Sequence, residues 1–230
     1  MTRVLAVTAV TPERDAVLAA LPAGPPVPVL GYQVRRAPTG AGELTCAAVG
    51  VGPVAAAVGA ASLLALDGRF DAVLSVGVGG GFVDRAPVGS LVVADRVVLA
   101  DLGADSPEGF LPLDALGLGG VSVDLPADRI RAAARRISTV APTTVGPVLT
   151  VCTATGTNER AARMVTRHRP AAEAMEGGAV LAAATAHGVP FLEIRAISNA
   201  VGRRDRAAWS IPEALSLLGR AVATLLEDPL

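Results

Sequence analysis

The chain has 230 residues, 51% of them hydrophobic and only 3% aromatic, so aliphatic side chains must fill a sizeable core. A formal net charge of −1 and a pI near 6.1 leave no basic field for nucleic acid or an anionic membrane surface. All 20 Lys-plus-Arg positions are Arg, which excludes both a Schiff-base lysine and a P-loop lysine.

In chain order, RVLAVTAV (3–10) predicts a first strand and PERDAVLAAL (12–21) a helix with proline at its start. YQVRRA (32–37) and ELTCAAVG (43–50) read as a strand pair about the turn signal PTGAG. PVAAAVGAASLLALD (53–67) is an apolar helix, hydrophobic nearly all round and therefore buried. FDAVLSVGVGG (70–80) is a strand ending in glycines, and SLVVADRVVLAD (90–101) is one long strand or two short ones. The Gly-, Pro- and Asp-rich stretch 102–125 reads as a loop excursion. Helix 127–138, strand 145–152, helices 158–167 and 178–187, strand 190–197 and helix 211–226 follow. This alternation predicts one α/β domain over 1–230, with a mixed sheet covered by helices on both faces.

Several classes drop out early. Cys46, Cys152, His168 and His187 are too scattered for a disulfide framework or a zinc site. The start MTRVLAVTAVTPERD turns charged too soon for a secretory signal. The longest apolar run, VAAAVGAASLLAL (54–66), falls short of the roughly 20 residues that a membrane span needs. A cytoplasmic protein without metal or organic cofactor is the expectation.

Two glycine clusters follow predicted strands, VGVGPVAAA (49–57) and SVGVGGGFVD (75–84). A dinucleotide fingerprint does not fit: the first has two of three glycines, and the second runs into a turn-rich segment. The glycines mark either a backbone passing close to something small or simply tight turns. Glu13, in TPERD, reads as a first-turn charge or a site carboxylate. Glu176, in AEAMEGGAV (172–180), has the same ambiguity, but its carboxylate can accept both hydroxyls of a ribose diol. FLEIRAISNAV (191–201) is an apolar run interrupted by Glu193 and Arg195 that delivers Asn199, a turn residue or a site amide. The charged stretch GRRDRAAW (202–209) follows it, a solvated run or a binding loop.

In this order, strand–PE, GVG–helix, GVGGG, AMEGGA and RAISN, the chain resembles the purine nucleoside phosphorylase/nucleosidase superfamily. The likeness lies with its hydrolytic branch around methylthioadenosine/S-adenosylhomocysteine nucleosidase. It implies a three-layer α/β/α sandwich around a mixed central sheet, no cofactor, and assembly as a dimer or larger homo-oligomer. It places Glu13 at the water-activating carboxylate, Met175 under the ribose and Glu176 on its 2′- and 3′-hydroxyls. Val78 and Gly79 fall in the substrate-binding glycine segment; Val78 stands where relatives often carry a hydroxyl residue that helps to bind phosphate. A valine side chain favours water over phosphate as nucleophile. Asn199 falls where adenine-specific nucleosidases carry Asp. An amide can donate to the O6 of hypoxanthine and accept from a protonated N7, whereas an ionised Asp only accepts. Asn199 together with MEG resembles the futalosine-hydrolysing family of an alternative menaquinone route. Its substrate ends in a benzoate, for which Arg204 is a candidate, with Asp205 a candidate proton source for the purine. No aromatic residue lies near TVCTATGTN (150–158), where the resemblance expects a ring stacked on the base. The alternatives are a methylthioadenosine/S-adenosylhomocysteine nucleosidase, a 6-oxopurine nucleoside phosphorylase or a non-catalytic nucleoside binder.

Overall fold

A computed structural model describes residues 2–67 and 69–230. The elements run β1 (Thr2–Thr8), α1 (Thr11–Leu18), β2 (Val27–Val29), β3 (Tyr32–Pro38), β4 (Gly42–Ala48), α2 (Pro53–Asp67), β5 (Ala72–Gly81) and β6 (Leu91–Leu99). Next come β7 (Gly103–Ala104), β8 (Leu111–Pro112), β9 (Ser122–Asp124), α3 (Ala127–Ile137), β10 (Thr143–Thr150), α4 (Asn158–His168) and β11 (Ala172–Ala174). The chain ends with α5 (Gly177–Ala186), β12 (Phe191–Ala200), a 3-10 turn (Arg206–Ala208) and α6 (Ile211–Leu225). The stretch 102–125 is not wholly irregular: β7 pairs with β8, and β9 adds to the edge of β6. Strands of two or three residues are too short to display an alternating pattern.

The main sheet has the order β11-β10-β6-β12-β5-β1-β4-β3-β2. It is mixed, with β5 parallel to β1 and β12, and β12 antiparallel to β6. Because β11 also pairs with β5, the strands β5, β12, β6, β10 and β11 close on themselves. That closure brings β11 and β12 to opposite sides of β5, which matters for the site.

Period-2 alternation sorts side chains to two helical layers. Leu5 and Val7 of β1 join a cluster with α2 and α5, while Val4 and Ala6 join one with α1, α3 and α6. The result is an α/β/α sandwich, with a smaller third cluster in which Met164 of α4 meets Leu149 and Val98. The helix α2 is hydrophobic nearly all round as expected, but Val54 and Val58 face outward at 78% and 57% exposure.

One close approach seats α1 against α6. Gly219 of α6 lies against the Ala16 carbonyl, where a Cβ would collide with backbone that cannot move aside. We predict that Gly219→Val lowers stability by about 1–3 kcal/mol in urea unfolding, and a loss under about 0.5 kcal/mol contradicts this packing.

Candidate active site

The carboxyl ends of β1, β5 and β12, the turn after β4, the loop after β10 and the β11–α5 junction surround a cavity of about 360 Å³. Glu13, Val78, Gly79, Met175, Glu176, Asn199 and Arg204 all line it. Asp205 does not. Its exposed carboxylate caps the 3-10 turn by accepting from Ala207 N at 3.1 Å, so the backbone next to it has claimed it. The expectation that Asp205 reaches the purine is corrected on that ground.

Glu13 is buried at 4% exposure. Its Oε2 accepts from the N–H groups of Ala9 and Val10 at 2.9 and 3.2 Å, half of a capping box at the start of α1. Its Oε1 accepts from Val78 N at 2.9 Å. Val78 thus touches this site through its backbone, holding Glu13, while its side chain packs on the core. Burial raises the Glu13 pKa above the ordinary 4.5, against the pull of the Val78 N–H and of Arg195. Gly77 makes this possible, because a Cβ there would stand 2.6 Å from Glu13 Oε1 and 2.8 Å from Arg195 Nη1.

Arg195 is the group that the sequence left unread. Alternation along β12 sends Leu192, Ile194 and Ala196 to the layer of α1, α3 and α6. Glu193 and Arg195 therefore point to the opposite face, under α5, where both are buried. Arg195 Nε donates to Glu193 Oε1 at 2.9 Å, Nη2 to Ser75 Oγ at 2.9 Å, and Nη1 to Glu176 Oε2 at 3.3 Å. Burial pulls the guanidinium pKa down, but Glu193, Glu176 and Glu13 more than offset it, leaving it above its ordinary value. Burial raises the Glu193 carboxyl, opposed by Arg195. Gly177, the first residue of α5, lies against the Glu193 carboxylate so closely that a Cβ would overlap it. Glu176 itself is held by Gly52 N at 3.1 Å and Met175 N at 3.3 Å. Gly52 adopts φ +90°, open to glycine, and this is what its cluster contributes.

Asn199 reaches the cavity through a bulge. Ile197 is in register with Gly79 and Asn199 with Gly80, so Ser198 is an extra residue in β12 that re-aims the side chains after it. Ser198 Oγ donates to Asn199 Oδ1 at 2.9 Å, and Asn199 Nδ2 donates to Ala200 O at 3.1 Å. One amide hydrogen and one carbonyl lone pair remain for a ligand. On the other side of Gly80 stands Glu173 of β11, also in the lining and 7% exposed. Thr155 N and Oγ1 donate to its two oxygens at 2.7 and 2.5 Å. Burial raises its pKa, against the two Thr155 bonds. At the mouth, the Arg204 guanidinium lies 4.9 Å from the centroid of the Trp209 ring, and Trp209 also lines the cavity. Ser75 and Glu173 were missed because their partners lie far away in sequence, and Glu193 and Arg195 because they read as interruptions of an apolar run.

Among the described residues, no group of three or more His, Cys, Asp or Glu side chains is placed to hold a metal ion, and no helix is long and apolar enough to cross a membrane. A family model described as the phosphorylase superfamily matches residues 4–228. A futalosine hydrolase of Streptomyces coelicolor is 53% identical over 227 residues, 96% of this chain and 94% of that protein. The chain belongs to the futalosine hydrolase family of the phosphorylase superfamily. A more distant member from Thermus thermophilus, also a futalosine hydrolase, is 35% identical, covering 78% of this chain and 79% of its own. In fold, the chain matches a methylthioadenosine/S-adenosylhomocysteine nucleosidase of Helicobacter pylori with TM-score 0.85 and 19% identity, covering 98% of this chain and 97% of that one. The H. pylori futalosine hydrolase matches with TM-score 0.83 and 19% identity, covering 97% of each chain. The sandwich expected from the sequence is therefore the superfamily's fold.

Removing the buried cation would leave two carboxylates, Glu193 and Glu176, without their partner. Arg195→Leu is expected to cost about 3–5 kcal/mol in denaturant unfolding; a loss under about 1 kcal/mol would contradict the ion-pair account.

Proposed function

We propose that the chain, acting as one nucleosidase domain, hydrolyses the N-glycosidic bond of futalosine and releases hypoxanthine and dehypoxanthine futalosine, a step on the futalosine route to menaquinone. The observation that carries this reading is the half-buried Asn199, an amide where a carboxylate would select adenine, facing a cavity that also holds Glu13 and Glu176. The likeness to futalosine hydrolases over nearly the whole chain supports it.

In the proposed reaction a water oxygen attacks C1′ of the ribosyl group, which carries positive charge as the bond to N9 breaks. The bonding electrons leave with the purine, whose N7 takes up a proton from solvent. Asn199 Oδ1 accepts from that N7–H and Nδ2 donates to O6, so the base departs neutral. Glu13 takes the proton from the attacking water. Its buried carboxylate, with a pKa above the ordinary range, is a stronger base than a solvated glutamate. Glu176 accepts the 2′- and 3′-hydroxyls in a position set by Gly52 N and Arg195, and Met175 packs beneath the ring. Arg204, on the face of Trp209, is offered to the benzoate of the substrate. The reading disfavours a phosphorylase, because the Val78 side chain is apolar and its N–H is committed to Glu13.

We further infer that the protein is a cytoplasmic homo-oligomer. Assembly is supported by the exposed apolar Val54, Val58 and Leu66 of α2, which suit a surface covered by a second copy.

Glu13→Gln is expected to lower kcat by about 10²–10⁴-fold while hypoxanthine inhibition stays nearly unchanged; full turnover in the variant defeats the assignment. Because Glu13 must be ionised to act and its pKa is raised, the acid limb of kcat/KM should fall above the ordinary glutamate value of 4.5. An acid limb at or below that value contradicts the assignment. For Asn199→Asp, the preference for inosine-type over adenosine-type substrates should drop roughly 10-fold or more, and an unmoved ratio counts against the role of this amide.

A further inference from the structure

Glu173 takes no part in the reaction as proposed, yet it is a buried carboxylate in the wall of the same cavity. Its place in the sheet says what it faces. Gly80 of β5 is in register with Asn199 of β12 on one side and with Glu173 of β11 on the other. Two strand spacings separate the backbones of those outer residues by roughly 10 Å, with a glycine between them. A Cβ on Gly80 would stand 2.8 Å from Val201 Cγ2 and 3.2 Å from Asn199 Nδ2, so the missing side chain is what lets the Asn199 amide sit close to this strand. A planar base at this end of the cavity therefore meets an amide on one flank of Gly80 and a carboxylate on the other.

Thr155 gives the carboxylate its second meaning. Without Glu173, the Thr155 N–H would offer a donor to this end of the cavity. In the structure both Thr155 donors, N–H and hydroxyl, are taken by Glu173. Each carboxylate oxygen keeps a further lone pair, so this wall presents acceptors only. On a purine, N7 and N1 lie on opposite flanks of C6. If Asn199 takes N7 and O6, N1 is the atom left for the other wall. A 6-oxopurine carries a hydrogen on N1, whereas a 6-aminopurine carries a lone pair there.

We propose that Glu173 is a second base-reading residue: across Gly80 from Asn199, its carboxylate accepts the N1–H of a 6-oxopurine and repels the bare N1 of a 6-aminopurine. This rests on the reading of the cavity as a purine nucleosidase site and adds the group that reads the far edge of the base. Two walls then reject adenine independently, Asn199 at the N7/O6 edge and Glu173 at N1.

The test is the inhibition of futalosine hydrolysis by free hypoxanthine and free adenine, in wild type, Glu173→Gln and Glu173→Val. In the glutamine variant the Thr155 N–H holds the amide oxygen, which turns the NH₂ towards the Thr155 hydroxyl and the base. In the valine variant the Thr155 N–H is released. Both changes put a donor where N1 lies. The ratio of the adenine to the hypoxanthine inhibition constant should therefore fall roughly 10-fold or more in both. If Glu173 only braces the loop through Thr155, both constants rise together and the ratio holds, which overturns the proposal. A measurement on the wild type needs no variant: hypoxanthine labelled with ¹⁵N at N1 should show, when bound, an N1–H proton shifted downfield and protected from exchange. A bound N1–H that exchanges as freely as in solution also overturns the proposal. A wild type that releases no hypoxanthine from futalosine defeats the functional reading itself. An unchanged inhibition ratio in an active wild type and its variants defeats only the role of Glu173.

Discussion

A single buried guanidinium organises the floor of this site. Arg195 is 1% exposed and bonded to Glu193, Glu176 and Ser75, with Glu13 close enough to feel its charge. Three carboxylates without it would repel one another in a dry interior, and each would tend to take up a proton. With it, Glu176 is held on one side and Glu13 is partly restrained on the other. Glu193 supplies the counter-charge from behind, so the guanidinium is not drawn wholly onto either cavity-facing carboxylate. Burying such a cluster is costly unless its hydrogen bonds are well made, so it is a device for positioning more than for stability. The glycines around it obey the same constraint: Gly77 and Gly177 leave room for the carboxylates, and Gly52 brings an N–H to Glu176.

The walls of the cavity depend on strand order in a comparable way. Closure of β11 onto β5 places a three-residue strand where an open sheet would have an edge. The bulge at Ser198 turns Asn199 to the same opening from the other side. The amide and the carboxylate on the two flanks of Gly80 make the proposed preference for 6-oxopurines a property of the sheet register. Binding energy differences of this kind are large because a mismatched base leaves buried polar groups unpaired.

Much of this was legible in the chain. MEG and RAISN are short, local and tied to strand ends, and the residues that the resemblance singles out there, Met175, Glu176 and Asn199, all line the cavity. Glu13 was ambiguous because a first-turn acid has an ordinary explanation; here it serves as half of a capping box and lines the cavity at once. Glu193 and Arg195 looked like interruptions of an apolar run, since a polar face of a strand is usually solvated and only the helix covering this one makes it buried. Glu173 was invisible because its partner Thr155 lies in the β10–α4 loop, on the far side of α4 in the chain. Asp205 failed for the opposite reason: a local cap, two residues long, outcompeted the longer reach into the cavity.

The proposed chemistry of this cavity is the release of a 6-oxopurine by water. The direct measurement is incubation with futalosine, inosine and methylthioadenosine in phosphate-free H₂¹⁸O, identifying the released base and the position of the label. Hypoxanthine from futalosine, with ¹⁸O on the anomeric hydroxyl of the sugar product, is the predicted result. A requirement for phosphate, or adenine released from methylthioadenosine in preference, would contradict it.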